Sequence, residues 1–151
     1  DRPALAVKLI SLLMDSTGSR GMIAGQVLDL TAQKEKLDLP ELEQVHLHKT
    51  GALMKACTQG AALIAGLDAM KQDALSEFAL QLGLSFQIKD DLLEVEDNKI
   101  EQGSYPALIG VVASNKTLME LMDDCKRNLD TLGVDVGRLK EVVELNAQRR
   151  T

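Results

Sequence analysis

Phe86-Gln87-Ile88-Lys89-Asp90-Asp91-Leu92-Leu93-Glu94-Val95 sets three carboxylates and an amide inside a segment that otherwise favours burial. At about 100° per residue in a helix, Gln87, Asp90, Asp91 and Glu94 fall within an arc of roughly 100°. Leu84, Ile88, Leu92 and Val95 lie on one side of that arc and Phe86 and Leu93 on the other, while Ser85, Lys89 and Glu96 lie opposite as the solvent candidates. The acids are therefore expected to point inward. Unpaired buried carboxylates would neutralise or unfold the site, so a compensating charge is required. A divalent cation is the most economical one, and Mg²⁺ favours a few carboxylates completed by substrate phosphates.

The chain has 151 residues, 45% hydrophobic but only 2% aromatic, so Leu, Ala, Val, Ile and Met must build the core. That length suits one domain, which would bury roughly 70% of its unfolded surface. Three prolines and no sustained period-two run favour an all-helical protein. A net charge of −6 without a basic block argues against nucleic acid as partner. Cys57 and Cys125 lack metal-ligand spacing and read as reduced, packed thiols of a cytoplasmic protein. No signal peptide or membrane-length apolar run is visible in the sequence.

Helical spacing predicts helices over 4–16 behind Pro3, over 20–31, and over a long stretch from Pro40 to about Gly66, with a charged surface loop at 33–38. A fourth helix, 69–95, ends in the acidic stripe, and 97–104 reads as a loop. A short helix follows from Pro106 to Val112. Ser114 is the expected cap of the next, which Gly133 ends, and Asp135 the cap of a last helix fraying into Gln148-Arg149-Arg150. In the long third helix, Leu42, Val45, Lys49, Leu53, Ala56, Gly60 and Ile64 form one stripe. Lys49 is thus a core-facing cation with Thr50 beside it, and the small residues beyond it allow a close helix contact, the favoured reading, or leave a cavity.

A diphosphate held through Mg²⁺ by the acids and directly by Lys49 would neutralise both charge sets. The plainer alternative is a buried ion pair between Lys49 and one Asp, which accounts for one acid well and three poorly. His46 reads as a hydrogen-bonded structural histidine near the apolar stripe and His48 as an outer one, with no third ligand for zinc. Asp123-Asp124 reads as a solvated face, and Asp29 as a structural anchor or part of a site.

Four landmarks, Gly25-Gln26-Val27-Leu28-Asp29-Leu30, His48-Lys49-Thr50-Gly51, Phe86-Gln87-Ile88-Lys89-Asp90-Asp91 and Ser104-Tyr105-Pro106-Ala107-Leu108, occur in an order and spacing that resemble the trans-polyprenyl diphosphate synthases, most closely the bacterial farnesyl diphosphate synthases. The likeness runs over nearly the whole chain and covers the C-terminal half of that family. It implies an all-α helical bundle of the isoprenoid synthase type. It also implies Mg²⁺-dependent head-to-tail condensation of an allylic diphosphate with isopentenyl diphosphate, giving farnesyl, geranyl or geranylgeranyl diphosphate, in a homodimer. Asp90, Asp91 and Glu94 match the family's second aspartate-rich metal motif. Lys49 matches the lysine that holds the allylic diphosphate, and Thr50 and Gln87 match groups whose oxygens stabilise the cation.

The chain departs from the family pattern in that Glu94 stands where the motif usually ends in Asp. The first aspartate-rich motif and the isopentenyl-binding basic residues belong upstream of Asp1. The loop after the second motif is short, without its Gly-Lys pair, and Gln102 stands where a lysine is usual. The expectation is the C-terminal half of one prenyl synthase domain, with the N-terminal half and a loop near 96–97 missing; 151 residues alone would be inactive. A terpene cyclase of the same fold and a non-catalytic helical subunit are the competing readings.

Overall fold

The computed structural model describes residues 2–32, 36–96, 100–101 and 103–150. The other helices pack around α5, Ala69–Glu96, a helix of 28 residues. Around it stand α1 (Pro3–Thr17), α2 (Met22–Ala32), α3 (Leu39–His46), α4 (Ala52–Ala65), α6 (Tyr105–Ile109), α7 (Val111–Asp130) and α8 (Gly137–Gln148). Among the described residues every regular element is helical, so the all-α expectation holds. The expected loops at 33–38 and 97–104 fall partly outside the described residues, as do Gln102 and the segment just after Glu96.

Leu75, Phe78, Leu82, Ile88 and Leu92 of α5 are buried against Leu118, Met122, Cys125 and Leu129 of α7 and Val143 of α8. The α7 positions recur every three to four residues, the spacing of a helix with one core face. Full burial of such a side chain stabilises by about 1.5–3 kcal/mol. Ser85 corrects the solvent assignment made for one face of α5. It is 0% exposed, donates to the Leu82 carbonyl at 2.8 Å and accepts from Asn146 Nδ2 at 3.1 Å. Lys89 on the same face is half-buried. Because α3, α4, α6, α7 and α8 all contact α5, it has no broad solvent face.

The predicted single helix from Pro40 to Gly66 is two helices joined by a π-helical turn, Leu47–Gly51, in which the Ala52 N–H donates to the Leu47 carbonyl. The extra residue rotates all that follows by about 100°. Leu42 and Val45 before it are buried, whereas Leu53 and Ile64 after it are 38% and 57% exposed. At the start of α3, Asp38 and Glu41 form a reciprocal cap: Asp38 Oδ1 accepts the Glu41 N–H at 3.0 Å and Glu41 Oε2 the Asp38 N–H at 2.9 Å.

Two close approaches clamp this turn. A Cβ on Gly25 of α2 would lie 2.3 Å from the Lys49 nitrogen and 2.7 Å from its Cα. A Cβ on Gly83 of α5 would lie 3.0 Å from the Gly51 Cα. Gly60, by contrast, faces the Leu9 side chain of α1, where a Cβ would find ordinary contact at 3.5 Å.

Ser114 is not a cap. It lies inside α7, buried, and donates to the Gly110 carbonyl at 2.9 Å; Gly110, at φ 83°, makes the corner between α6 and α7. Asp135 accepts the Gly137 N–H at 2.9 Å at the start of α8. Cys125 is buried, its thiol pushed up to about 12 by burial, but Cys57 is exposed rather than packed. His46 is buried and stacks on Tyr105 with ring centroids 6.1 Å apart. Contrary to expectation neither of its ring nitrogens has a hydrogen-bond partner among the described residues. Burial, reinforced by Lys49, lowers its pKa to about 4. His48, on the outer side, donates from Nδ1 to the Gln44 carbonyl at 2.8 Å.

Replacing Gly25 by Ala should lower stability by about 1–3 kcal/mol, because backbone cannot yield as a side chain does. Gly60→Ala should be neutral or stabilising by up to about 1 kcal/mol through helix propensity; thermal unfolding of both variants checks the contrast. His46 has a folded pKa below its unfolded one, so its contribution is intact above pH 6.5 and lost as pH falls through that value towards 4. His46→Phe should therefore gain Tm relative to the parent as pH is lowered from 7 to 4, with little difference at pH 7 and above.

Candidate functional site

The π-turn and the C-terminal third of α5 carry every residue singled out as functional. Lys49 is half-buried, and its Nζ lies 2.6 Å from Asp29 Oδ2. Gly25 and Asp29 are one turn apart on α2, so the face that meets the Lys49 backbone also presents the carboxylate to its ammonium. The ion pair weighed for Lys49 thus exists, but with Asp29 rather than with an acid of α5. Asp29 is the anchor. Thr50 sits next in the same turn, half-buried.

On α5, Gln87, Asp90, Asp91 and Glu94 are all partly buried, as their arc on the helix requires. Gln87 Nε2 is 3.4 Å from Asp90 Oδ2. Asp91 Oδ2 accepts the Tyr105 N–H at 2.8 Å and so caps α6 from outside. Burial raises the Asp91 pKa to about 6 against that hydrogen bond, and the nearby charges of Glu94, Asp90 and Glu101 add to the rise. The Tyr105 hydroxyl donates to Glu43 Oε1 at 2.9 Å, which ties α6 to α3, and burial together with Glu43 raises its pKa.

Asp90 has a partner that sequence reading missed. Arg149, assigned to a fraying end, folds back onto α5: its Nη2 donates to Asp90 Oδ1 at 2.5 Å and approaches the Phe86 carbonyl at 3.4 Å. Its guanidinium carbon stands 3.9 Å over the Phe86 ring. The available signal was the spacing Val143, Asn146, Arg149, which continues the buried face of α8 at three-residue intervals. An open apolar groove of about 630 Å³ is lined in part by Met54, Leu82, Phe86, Leu145 and Arg149. Asp123 and Asp124 lie apart from all this; Asp123 is exposed and Asp124 pairs with Arg127, a solvated face as expected.

Among the described residues no three His, Cys, Asp or Glu side chains gather as ligands for one metal ion. The donor set is nevertheless of hard oxygens on one helix, with one carboxyl, Asp91, whose pKa is raised chiefly by burial and further by the neighbouring acids. That fits a cation completed by water and anionic ligands. It does not fit an all-protein cage.

The chain resembles known proteins over nearly all of its length. The chain is 35% identical to the farnesyl diphosphate synthase of Geobacillus stearothermophilus over 97% of its own length and 54% of the relative's. It is 33% identical to the farnesyl diphosphate synthase of Escherichia coli (strain K12), over 95% and 53%. It thus spans about half the length of the curated relatives it matches. It superposes on an FPP/GFPP synthase from Zymomonas mobilis with a TM-score of 0.88 at 28% identity, over 95% of this chain and 51% of that one. The geranyltransferase of Helicobacter pylori, in complex with magnesium and isoprenyl diphosphate, superposes with a TM-score of 0.78 at 28% identity, over the same 95% and 51%. The polyprenyl synthetase family model matches residues 4–104, the stretch that holds the π-turn, its glycine clamp and the acidic end of α5, and the chain belongs to that family.

Proposed function

We propose that this chain is the C-terminal half of a short-chain prenyl diphosphate synthase, a Mg²⁺-dependent prenyltransferase that joins an allylic diphosphate to isopentenyl diphosphate. The observation that carries the reading is a half-buried Lys49 in a glycine-clamped π-turn together with a one-sided acidic cluster on α5. A diphosphate bridging ammonium and metal would answer both charges. Asp90 and Glu94 would hold Mg²⁺, with Asp91 contributing its free oxygen while its other oxygen keeps α6 in place. When bound, Mg²⁺ offsets charge on the departing diphosphate.

Lys49 binds the allylic diphosphate directly, and Asp29 holds its ammonium in position until the anion arrives. Thr50 and Gln87 orient side-chain oxygens toward the allylic carbon as positive charge develops there, where a fixed dipole stabilises without reorganising. The Gln87 amide nitrogen faces Asp90, which leaves its oxygen free for that task. The apolar faces of α1 and α2, with Val7, Ile10, Met14, Ile23 and Val27 exposed, are where the other half of the fold and a second copy would pack.

Asp90→Ala in the full-length enzyme should lower kcat by on the order of 10²-fold or more with the fold intact, the cost of losing several kcal/mol of charge stabilisation. Steady-state kinetics with Mg²⁺ check this, and unchanged turnover would remove Asp90 from the site. Lys49→Ala should raise KM for the allylic diphosphate by about 10–100-fold, as loss of a charge-assisted hydrogen bond does. An unaltered KM for that substrate would refute the role given to Lys49.

A further inference from the structure

Tyr105 links the acidic end of α5 to the helix that runs into the Lys49 turn. It opens α6, whose five residues are too few to hold a helix unaided, so the place of α6 depends on what Tyr105 touches. The Tyr105 backbone N–H donates to Asp91 Oδ2 at 2.8 Å. Its fully buried side chain contacts α3 instead: the ring stacks on His46, and the hydroxyl donates to Glu43 Oε1 at 2.9 Å. Both partners belong to α3, and His46 directly precedes the π-turn that carries Lys49 and Thr50. The His46 ring offers Tyr105 a face and no hydrogen bond, so Glu43 fixes the direction of the hydroxyl. Asp91 keeps Oδ1 free. A carboxylate turns about a soft torsion, and a bond that holds one oxygen aims the other.

We propose that Tyr105 is a positioning residue for the metal site: anchored by Glu43 and His46, it holds Asp91 so that Oδ1 is presented to the cation. The proposal rests on the metal role given to Asp91 above. A tyrosine that only fills a core needs some acceptor for its hydroxyl. Here the acceptor lies on the helix leading into the Lys49 turn, and the N–H of the same residue holds an acid of the other charge set. Because the bond to Asp91 comes from the main chain, no side-chain change removes its donor. Loss of the tie to Glu43 instead frees α6 to shift, and the aim of Asp91 shifts with it. Tyr105→Phe keeps the ring and its stack, and half-buried Glu43 can take water in place of the hydroxyl, so the variant should fold.

Mn²⁺ affinity in the presence of inorganic diphosphate, read by electron paramagnetic resonance on the protein at its full native length, tests this without turnover. Tyr105→Phe and Glu43→Ala should each weaken Mn²⁺ by about tenfold, the order of loss when a group that orients a metal-binding carboxylate is removed. The two together should cost no more than either alone, since both break one bond. Glu43→Gln, whose amide oxygen can accept from the hydroxyl, should retain the parent affinity. In an Asp91→Asn background Tyr105→Phe should weaken Mn²⁺ no further, whereas a general loosening of the fold would weaken it there as well. If Asp91→Asn leaves Mn²⁺ affinity unchanged, the metal role of Asp91 falls and takes this proposal with it. If Asp91→Asn weakens Mn²⁺ while Tyr105→Phe does not, the positioning role is overturned and the metal role stands. An equal loss from Tyr105→Phe with and without Asp91 would overturn it too.

Discussion

Contact of backbone on backbone at the π-turn is the constraint on which the site depends. Gly25 lets α2 lie against the Lys49 main chain, and Gly83 lets α5 lie against Gly51 from the other direction. With both sides held, the additional residue of the turn cannot relax into ordinary α-helix without moving α4 relative to α5. A π-turn is poorer in hydrogen-bond geometry than an α-turn and persists where its surroundings over-determine it. Here those surroundings are two helices whose glycines stand at the points of closest approach. What the turn achieves is local: it puts Lys49 and Thr50 half-buried beside α2 and within the bundle.

Charge is then distributed in two pairs that do not mix. Lys49 is answered by Asp29 from the same α2 face that supplies Gly25, and Asp90 is answered by Arg149 from the end of α8. Each pair is partly buried, a setting in which losing one partner costs more than the pair gains over solvent. Asp91 is different: its partner is the backbone of α6, not a cation, and burial leaves its pKa raised. Asp90, Asp91 and Glu94 thus have Arg149 as their one ion-pair partner among the described residues. Such an imbalance suits a ligand that brings its own cation, the form in which a metal diphosphate arrives.

Much of this was legible in the sequence, and the misses have physical reasons. The helix boundaries of α5 and its acidic arc follow from a 3.6-residue period that no tertiary contact overrides. Lys49 and Asp90 stood out because a lone cation and clustered acids are poor choices for a core without a function, whereas the clamp role of Gly25 needed the structure. Ser85 was misassigned because a small polar residue opposite an apolar arc reads as solvent-facing. The helices that enclose α5 on that side are set by contacts up to about sixty positions away, such as Asn146 with Ser85. The π-turn left no mark because one extra residue changes neither composition nor local propensity, only the register of Leu53 and Ile64. Arg149 was missed for a related reason: a terminal Gln-Arg-Arg run has the composition of a frayed end, and its partner lies 59 residues away.

Whether Lys49 and the acids of α5 act on one ligand is open to a thermodynamic test. Calorimetric affinity for inorganic diphosphate in Mg²⁺, measured for the full-length parent, Lys49→Ala, Asp90→Ala and the double variant, tests it most directly. Groups that share a ligand are energetically coupled, whereas independent sites add. The double variant should lose clearly less affinity than the two single losses combined. Strictly additive losses, or diphosphate binding indifferent to Asp90, would contradict it.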